Sequence, residues 1–251
     1  MQNPPSPELR HVELSGRRIA YRLREGRSPT LLFLPGYASD MEGSKAEAID
    51  RFAGLHGFAM LRFDYSGTGS SGGQFEDGTL ALWLEEAVAI LDQLTRGTVA
   101  LVGSSMGAWI ALHLALLRPE RVQALVGLAP APDFTDWGFS QARRRLLMDH
   151  GRIEEPNPYG PQPQLFTRAF WESGQQLRLL DSEIAIGCPV RLVHGEMDQE
   201  VPLEIAFRLM RQLRSADVQL TVIKGAGHRL SQAHEINAIL RTIAALMEPS
   251  P

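Results

Sequence analysis

Short apolar runs alternate with longer segments of helical spacing along most of this chain of 251 residues. The runs at 30–36, 99–104 and 188–195 are rich in apolar residues, which is typical of strands buried on both faces of a sheet. Strand–helix alternation of this length predicts an α/β fold with a doubly wound, mostly parallel sheet.

The expected strands are 11–15, 18–23, 30–36, 58–65, 99–104, 122–131, 188–195 and 218–225. The expected helices are 42–56, 79–94 and 106–120, with one more from Pro202 and a last one from about 231. We expect the first two strands to form an antiparallel hairpin that turns near Ser15 and Gly16. Residues 133–184 break the alternation.

Composition and charge exclude several classes of protein. The formal net charge is −4 and no run of Lys or Arg indicates a nucleic-acid or membrane surface. No apolar run reaches the roughly 20 residues that a membrane span needs. The N-terminal stretch resembles neither a secretory signal nor a transit peptide, and Cys188 is the single cysteine. We therefore expect a protein of a reducing compartment, the cytoplasm, without disulfides or a multi-cysteine metal site.

The stretch GSSMG, residues 103–107, lies between the expected strand 99–104 and the helix 106–120. It fits G-x-S-x-G only with Ser105 in the centre. In a nucleophile elbow the serine occupies a strained strand-to-helix turn, and the positions two before and two after it must be small. Glycines also occur at ordinary tight turns, but the strand–helix context favours Ser105 as a nucleophile and Ser104 as the last strand residue.

A serine nucleophile needs a histidine base that an acid orients. His228, in KGAGHRL, follows the last expected strand and lies at the same sheet edge as Ser105. His113 has helical spacing typical of packing, His194 would order the acidic loop that follows it, and His234 falls on the surface of the last helix. His228 is therefore the predicted base.

The acid should follow the strand before the histidine, since this fold class has the chain order Ser, acid, His. The segment 194–202 offers Glu196, Asp198 and Glu200, and Asp198 is the preferred acid. An acidic residue there is also explained as a charge at a helix start. Asp133, at another strand end, is the second candidate.

An oxyanion needs hydrogen-bond donors at the same edge. The backbone N–H of Met106, directly after the nucleophile, is one expected donor. The N–H of Tyr37, in the loop LPGYASD after strand 30–36, is the other. The Tyr37 side chain is equally explained as a pocket wall.

The glycines at 67, 69 and 72 match the spacing of a dinucleotide-binding loop. No helix opens directly after them, and no acidic residue ends a second strand about twenty residues on. We expect a structural turn held by Asp64, and no cofactor or metal.

The motifs together resemble the α/β-hydrolase superfamily, and within it the branch of mitochondrial palmitoyl-protein thioesterases that also cleave acyl glucuronides. The segments that carry this resemblance are FLPGYASDMEGSKA (33–46), RFDYSGTGSSGG (62–73), LVGSSMGAW (101–109) and CPVRLVHGEMDQEVP (188–202). The resemblance implies an α/β-hydrolase fold, hydrolysis of acyl thioesters and carboxyl esters without a cofactor, and a triad on Ser105, Asp198 and His228. Gly227 departs from the acidic neighbour expected beside the histidine.

Residues 133–184 would then be a lid inserted into a core domain made of 1–132 and 185–251. Its large aromatic residues include Trp137, Phe139, Tyr159, Phe166, Phe170 and Trp171. We expect Trp137, Phe139, Phe166 and Phe170 to line an acyl pocket, since ligand sites are mostly apolar. The alternative is that these rings only pack the lid onto the sheet. The run Arg143–Arg145 is typical of a solvated helix face, and recognition of an anionic leaving group is its alternative.

The sequence thus predicts a serine hydrolase acting on a small-molecule acyl ester or thioester, with S-acylated proteins among the substrates. A lactonase or a carbon–carbon bond hydrolase would use the same triad. A hydrolase fold that serves as a non-catalytic binding module is the third reading, which a missing triad residue would have favoured. No nucleic acid and no membrane span is expected.

Overall fold

The computed structural model describes residues 4–157 and 160–247, so Pro158 and Tyr159 lie outside the described residues. The described strands are β1 (Leu9–Leu14), β2 (Arg17–Arg24), β3 (Arg27–Leu34), β4 (Phe58–Phe63), β5 (Val99–Ser104), β6 (Val122–Leu128), β7 (Arg152–Glu155), β8 (Gln164–Thr167), β9 (Val190–Gly195) and β10 (Val218–Ile223). The helices are α1 (Ser44–His56), α2 (Leu80–Leu94), α3 (Met106–Leu117), α4 (Phe134–Trp137), α5 (Gln141–His150), α6 (Arg168–Gln176), α7 (Leu203–Gln212) and α8 (Ala233–Met247).

Eight of these strands form one sheet in the order β1-β2-β4-β3-β5-β6-β9-β10. Strand β2 runs antiparallel to both β1 and β4, and the remaining neighbouring pairs are parallel. The β1–β2 hairpin turns at Ser15 and Gly16, which have φ of 49° and 78° as a mirror-image two-residue turn requires. The α/β class and the mostly parallel sheet are confirmed.

Helices cover both faces of the sheet because alternate strand residues point in opposite directions. Leu32 and Leu34 of β3 belong to the core under α2, α3 and α7, whereas Leu31 and Phe33 belong to the core under α1 and α8. Strands β3 and β5 are the two middle strands of the sheet, and both cores have fully buried members. Within the described ranges, no helix combines the length and apolar character needed to cross a bilayer.

Several strands end earlier than the apolar runs suggested. Strand β6 ends at Leu128 and not at 131, because Ala129 takes a positive φ of 45° and the chain turns at the sheet edge. Strands β4 and β10 end at Phe63 and Ile223, two residues before the ends of the segments expected as strands. The carboxyl ends of the strands therefore meet in a set of loops above the sheet.

The segment 133–184 contains α4, α5, α6 and the separate two-stranded β7–β8 ribbon. Asp133 begins it with a left-handed backbone, φ 58°. The Asp133 carboxylate accepts the N–H of Leu179 at 2.9 and 3.0 Å and the N–H of Leu180 at 2.7 Å. One buried side chain thus ties the two ends of the segment together. Its role as a lid and its exact borders stay predictions.

Candidate active site

Ser105 occupies the turn between β5 and α3, with φ 53° and ψ −117°. This conformation is strained for a residue with a side chain, and such strain persists only where the surroundings hold it. The Ser105 N–H donates to the carbonyl of Leu128 at 2.8 Å, and the N–H of Ala131 donates to the Ser105 carbonyl at 3.2 Å. Both contacts come from the end of β6, so the neighbouring strand fixes the turn.

The glycines on either side of Ser105 are required by close backbone approach. A Cβ atom at Gly103 would lie 2.4 Å from the carbonyl oxygen of Gly107. A Cβ atom at Gly107 would lie 2.1 Å from the carbonyl oxygen of Leu34. Any larger side chain at these positions would push the helix start away from the strands, and the turn therefore needs both glycines.

The structure brings Ser105, His228 and Asp198 into one hydrogen-bonded chain. His228 Nε2 lies 3.1 Å from Ser105 Oγ, and His228 Nδ1 lies 2.8 Å from Asp198 Oδ2. A carboxylate only accepts hydrogen bonds, so Nδ1 carries the proton and Nε2 is free to accept the serine O–H. Three separate strand ends, after β5, β9 and β10, supply the three side chains.

The carboxylate of Asp198 is fixed on both oxygens. Its side chain is 1% exposed, and Oδ1 accepts the N–H groups of Glu200 and Val201, each at 2.9 Å. Burial alone would raise the pKa of Asp198, but the hydrogen bond and charge of His228 and these two N–H groups outweigh it. The pKa of Asp198 therefore lies below its ordinary value, and the group is an anion at neutral pH.

The other acidic candidates do not occupy the position beside His228 Nδ1 that Asp198 fills. Glu196 accepts the N–H of Gly225 at 2.9 Å, and Glu200 is 40% exposed with its carboxylate 4.0 Å from His228 Nε2. Asp133 binds the far end of its own segment and makes no contact with His228. Burial raises the pKa of Asp133 despite its backbone hydrogen bonds.

Two of the other histidine candidates, His113 and His194, have backbone carbonyl partners. His113 Nε2 lies 2.9 Å from the carbonyl of Leu177, and His194 Nε2 lies 2.9 Å from the carbonyl of Val201. Burial lowers the pKa of both side chains. His234 is exposed at the start of α8. His194 thus spans the acidic loop, as the sequence suggested, and it also lies 3.4 Å from the Asp198 carboxylate.

The expected oxyanion donors lie beside the serine. Strands β3 and β5 are parallel neighbours with Leu34 opposite Gly103, so the loops that follow them run side by side. Tyr37 lines the same cavity as Ser105, and Met106 is the first residue of α3. Within the described ranges, neither backbone N–H donates a hydrogen bond to another residue.

The Tyr37 side chain lies in an aromatic cluster. Its hydroxyl donates to the carbonyl of Leu165 at 2.6 Å, and its ring stacks on Phe166 at a centroid distance of 4.9 Å and an angle of 3°. It also contacts Phe170 at 4.7 Å. Burial raises the pKa of Tyr37 well above its ordinary value, and the phenol stays neutral. Tyr37 therefore lines the cavity and anchors the segment 164–170 with its ring.

The cavity beside Ser105 has a volume of about 370 Å³ and a largely polar wall. Its polar side chains include Ser39, Lys45, Asn157, Gln164, Glu200 and Arg229. The four aromatic residues expected there, Trp137, Phe139, Phe166 and Phe170, do not line it. Phe139, Phe166 and Phe170 are 2%, 5% and 1% exposed, and the indole N–H of Trp137 donates to the carbonyl of Pro132 at 2.7 Å. Phe139 packs edge-on against Phe166 at a centroid distance of 5.5 Å, whereas Phe170 belongs to the core under α2 and α3 and Trp137 packs against that core.

Arginines of α5 contribute to that packing. The Arg143 guanidinium lies 3.8 Å above the Phe139 ring and donates to Glu155 at 2.6 Å. Arg144 pairs with Asp136 at 3.1 Å. Arg145 is exposed. The sequence suggested that Arg143–Arg145 form a solvated helix face. Arg145 is solvated, whereas Arg143 and Arg144 are ion-paired and half-buried.

Asp64 holds the glycine-rich loop after β4. One of its carboxylate oxygens accepts the N–H of Met41 at 2.7 Å, and the other accepts the N–H of Ser70 at 2.8 Å. The Gly67 N–H donates to the Gly72 carbonyl at 2.8 Å, so the loop closes on itself. The structural turn expected at this loop is present.

Comparison with known proteins agrees with this architecture. A family model described as the alpha/beta hydrolase fold matches residues 29–152. The mitochondrial palmitoyl-protein thioesterase of Homo sapiens is 37% identical to this chain over 234 residues, which are 92% of this chain and 76% of the relative. The chain belongs to the α/β-hydrolase family. The resemblance identified in the sequence is thereby confirmed.

Solved structures of other α/β-hydrolases superimpose closely on this one. The alpha/beta hydrolase domain-containing protein 10 from mouse has a TM-score of 0.89 at 34% identity, covering 96% of this chain and 98% of its own. A putative hydrolase from Agrobacterium vitis S4 has a TM-score of 0.91 at 40% identity, covering 98% and 100%. These relatives support a hydrolase.

Sequence reasoning missed the polar wall of the cavity. Ser39 and Lys45 come from the loop after β3 and the first turn of α1, and the polar run ASDMEGSK at a strand end was the available signal. Burial lowers the pKa of Lys45 to about 8, and its ammonium donates to the carbonyl of Arg229. Asn157 and Gln164 come from the inserted segment, where no pattern in the sequence marked them.

Proposed function

We propose that this protein is a serine hydrolase that cleaves carboxyl esters or acyl thioesters through a covalent acyl-enzyme. The observation that carries the proposal is the chain of hydrogen bonds from Ser105 Oγ through His228 to Asp198, at 3.1 and 2.8 Å. A serine hydroxyl is a weak nucleophile until a base within hydrogen-bond reach can take its proton. The strained elbow holds that hydroxyl at the wall of a cavity.

In the first half of the reaction, Ser105 Oγ attacks the acyl carbon and its proton moves to His228 Nε2. The imidazolium that forms is stabilised by the anionic Asp198, which also keeps the ring oriented. The negative charge on the acyl oxygen is bound by the N–H groups of Tyr37 and Met106. His228 then gives its proton to the leaving alcohol or thiol.

In the second half, water enters and His228 Nε2 removes one of its protons. The hydroxide equivalent attacks the acyl-enzyme, the same two N–H groups bind the oxyanion, and Ser105 leaves as the protonated hydroxyl. The products are a carboxylic acid and the alcohol or thiol. The residues named here supply every proton transfer.

The substrate class follows from the relatives and the cavity together. Relatives named as palmitoyl-protein thioesterases support an acyl thioester, including one on a protein. The polar wall of the cavity favours a substrate with hydrogen-bonding groups close to the scissile bond. The same wall favours a lactonase as the second candidate, because a compact, polar lactone ring needs no long apolar pocket.

The cytoplasm is the proposed location, on the basis of the single cysteine, which is typical of a reducing compartment. The relatives are named as mitochondrial. Microscopy of the tagged protein in its own cells decides this point.

The test uses a fluorophosphonate probe, which phosphonylates activated serines. We expect an adduct on Ser105, found by peptide mapping, and hydrolysis of p-nitrophenyl esters and acyl thioesters by the same preparation. An adduct on Ser104, or labelling that is equal in Ser105→Ala, would contradict the proposal. Labelling of Ser105 with turnover of lactones alone would favour the second candidate.

A further inference from the structure

A second histidine faces the carboxylate of Asp198. His194, near the end of β9, is completely buried, and its Nε2 lies 3.4 Å from Asp198 Oδ2. The same oxygen accepts the hydrogen bond from His228 Nδ1 at 2.8 Å. The acid is therefore placed between two imidazole rings.

The partners of His194 define where its proton lies. Nε2 is 2.9 Å from the carbonyl oxygen of Val201, and a carbonyl only accepts, so Nε2 carries a hydrogen. Nδ1 has no hydrogen-bond partner in the described part of the chain. Burial lowers the pKa of His194, so the ring is neutral, with its Nε2–H directed to the Val201 carbonyl and Nε2 3.4 Å from the Asp198 carboxylate.

The Nε2–H group of His194 faces both ends of the short loop from Asp198 to Val201. The Val201 N–H binds one oxygen of Asp198, while the Val201 carbonyl and the other oxygen of Asp198 face the same ring nitrogen of His194. Loss of the ring would remove the group that lies against both Asp198 Oδ2 and the Val201 carbonyl. The carboxylate could then shift relative to His228 while its Oδ1 stays bound to the two N–H groups.

We propose that His194 is a positioning residue that holds the Asp198 carboxylate in the orientation from which it aligns His228 toward Ser105. The proposal rests on the proposed function. It assigns a role to a histidine that touches neither the substrate nor the nucleophile.

His113 provides a matched control. It is partly buried, its pKa is also lowered by burial, and its Nε2 also lies 2.9 Å from a backbone carbonyl, that of Leu177. It has no carboxylate beside it among the described residues. His194→Leu and His113→Leu therefore remove comparable groups, and only the first touches Asp198.

The experiment measures kcat and KM for a p-nitrophenyl ester in His194→Leu, His194→Gln, His113→Leu and Asp198→Asn. We expect His194→Leu to lower kcat by roughly tenfold or more with little change in KM, as for loss of a hydrogen bond to a charged group. His194→Gln, which keeps a side-chain N–H at similar reach, should recover most of the rate. His113→Leu should retain kcat. Should His194→Leu not fold, His194→Phe keeps a ring without the donor and takes its place.

A double variant distinguishes positioning from general stability. If His194 acts through Asp198, adding His194→Leu to Asp198→Asn should cause little further loss. Losses that multiply, or an equal loss in His113→Leu, would overturn the proposal.

Proton NMR of the His228 Nδ1–H in the free protein gives a readout that needs no turnover. A shifted or broadened resonance in His194→Leu supports positioning, and an unchanged one overturns it. Absence of ester hydrolysis in the wild-type protein would defeat the proposed function alone, since this resonance would still decide the role of His194.

Discussion

Asp198 and Asp133 are two buried aspartates at strand ends of the same sheet, and the structure uses them in opposite ways. Each carboxylate accepts two backbone N–H groups, from Glu200 and Val201 in one case and from Leu179 and Leu180 in the other. Burial pushes the pKa of both upward. The pKa of Asp198 is nevertheless lowered, while that of Asp133 is raised.

The difference lies in one additional partner. Asp198 receives the hydrogen bond and the charge of His228, whereas Asp133 accepts its hydrogen bonds from backbone N–H groups, with Arg178 and Asp181 acting on its pKa in opposite directions. The partners of Asp198 outweigh the effect of burial on its pKa, and those of Asp133 do not. The first arrangement suits an acid that stabilises an imidazolium. The second suits a structural tie between two chain segments.

The largest effect is expected at the residue that the first arrangement serves. Ser105→Ala should lower kcat by roughly a millionfold, as removal of a catalytic serine does elsewhere. Ser104→Ala, one residue earlier on β5, should retain most of the activity. Steady-state hydrolysis of a p-nitrophenyl ester measures kcat of both variants. Comparable losses in the two would contradict the assignment of Ser105 as the nucleophile.

The comparison is sharpened by the same substitution at both aspartates. Asp198→Asn should lower kcat by about four orders of magnitude, because an amide favours the wrong tautomer of the base. Asp133→Asn should lower it far less. Circular dichroism confirms that both variants fold, and equal kinetic losses in two folded proteins would assign Asp133 to the site.

Substitution of Asp133 should lower the stability of the fold, although it should affect kcat little. Asp133→Ala leaves the buried N–H groups of Leu179 and Leu180 without an acceptor, which costs about 3 kcal/mol of unfolding free energy. Urea titration measures this loss. Protease cleavage within 133–184 should also become faster than in the wild type, and an unchanged cleavage rate would argue against the tie.

The two carboxylates should also differ in how stability depends on pH. The raised pKa of Asp133 means that its ionisation opposes folding, and this cost appears as pH rises from about 3.9 through the folded-state pKa. Asp133→Asn should therefore gain stability relative to the wild type as pH rises through that window.

The lowered pKa of Asp198 gives the opposite sign. Its anion stabilises the fold above about pH 3.9, and this contribution is lost as pH falls through the folded-state pKa. Urea unfolding at a series of pH values measures both differences, and slopes of the same sign in the two Asn variants would break the comparison.

The smallest expected effect concerns acyl chain length. A pocket that buries hydrocarbon gains about fourfold in kcat/KM per methylene. The aromatic rings are occupied with one another and the cavity wall is polar, so we expect a gain well below fourfold per methylene. Esters and thioesters from two to sixteen carbons test this, and a steep rise would show that the aromatic cluster opens to admit the chain.

The sequence predicted the tight turn at Ser105 and the succession of strands and helices that form the main sheet, because these depend on local constraints. Apolar runs and the small residues around Ser105 record what a buried strand and a crowded turn need. The ends of the strands were less predictable. Residues such as Ala129 are apolar but belong to loops, since the turn at the edge and not hydrophobicity ends the strand.

The sequence by itself determined the α/β-hydrolase architecture, the family and the residue types available at the sheet edge. Only the tertiary structure decided which aspartate meets His228, because Asp133 and Asp198 both follow strands and differ in what the fold places beside them. It also decided that Phe139, Phe166 and Phe170 are buried away from the polar cavity beside Ser105. Local patterns record the needs of one element, whereas a hydrogen bond or a ring contact between distant segments depends on how all of the elements pack.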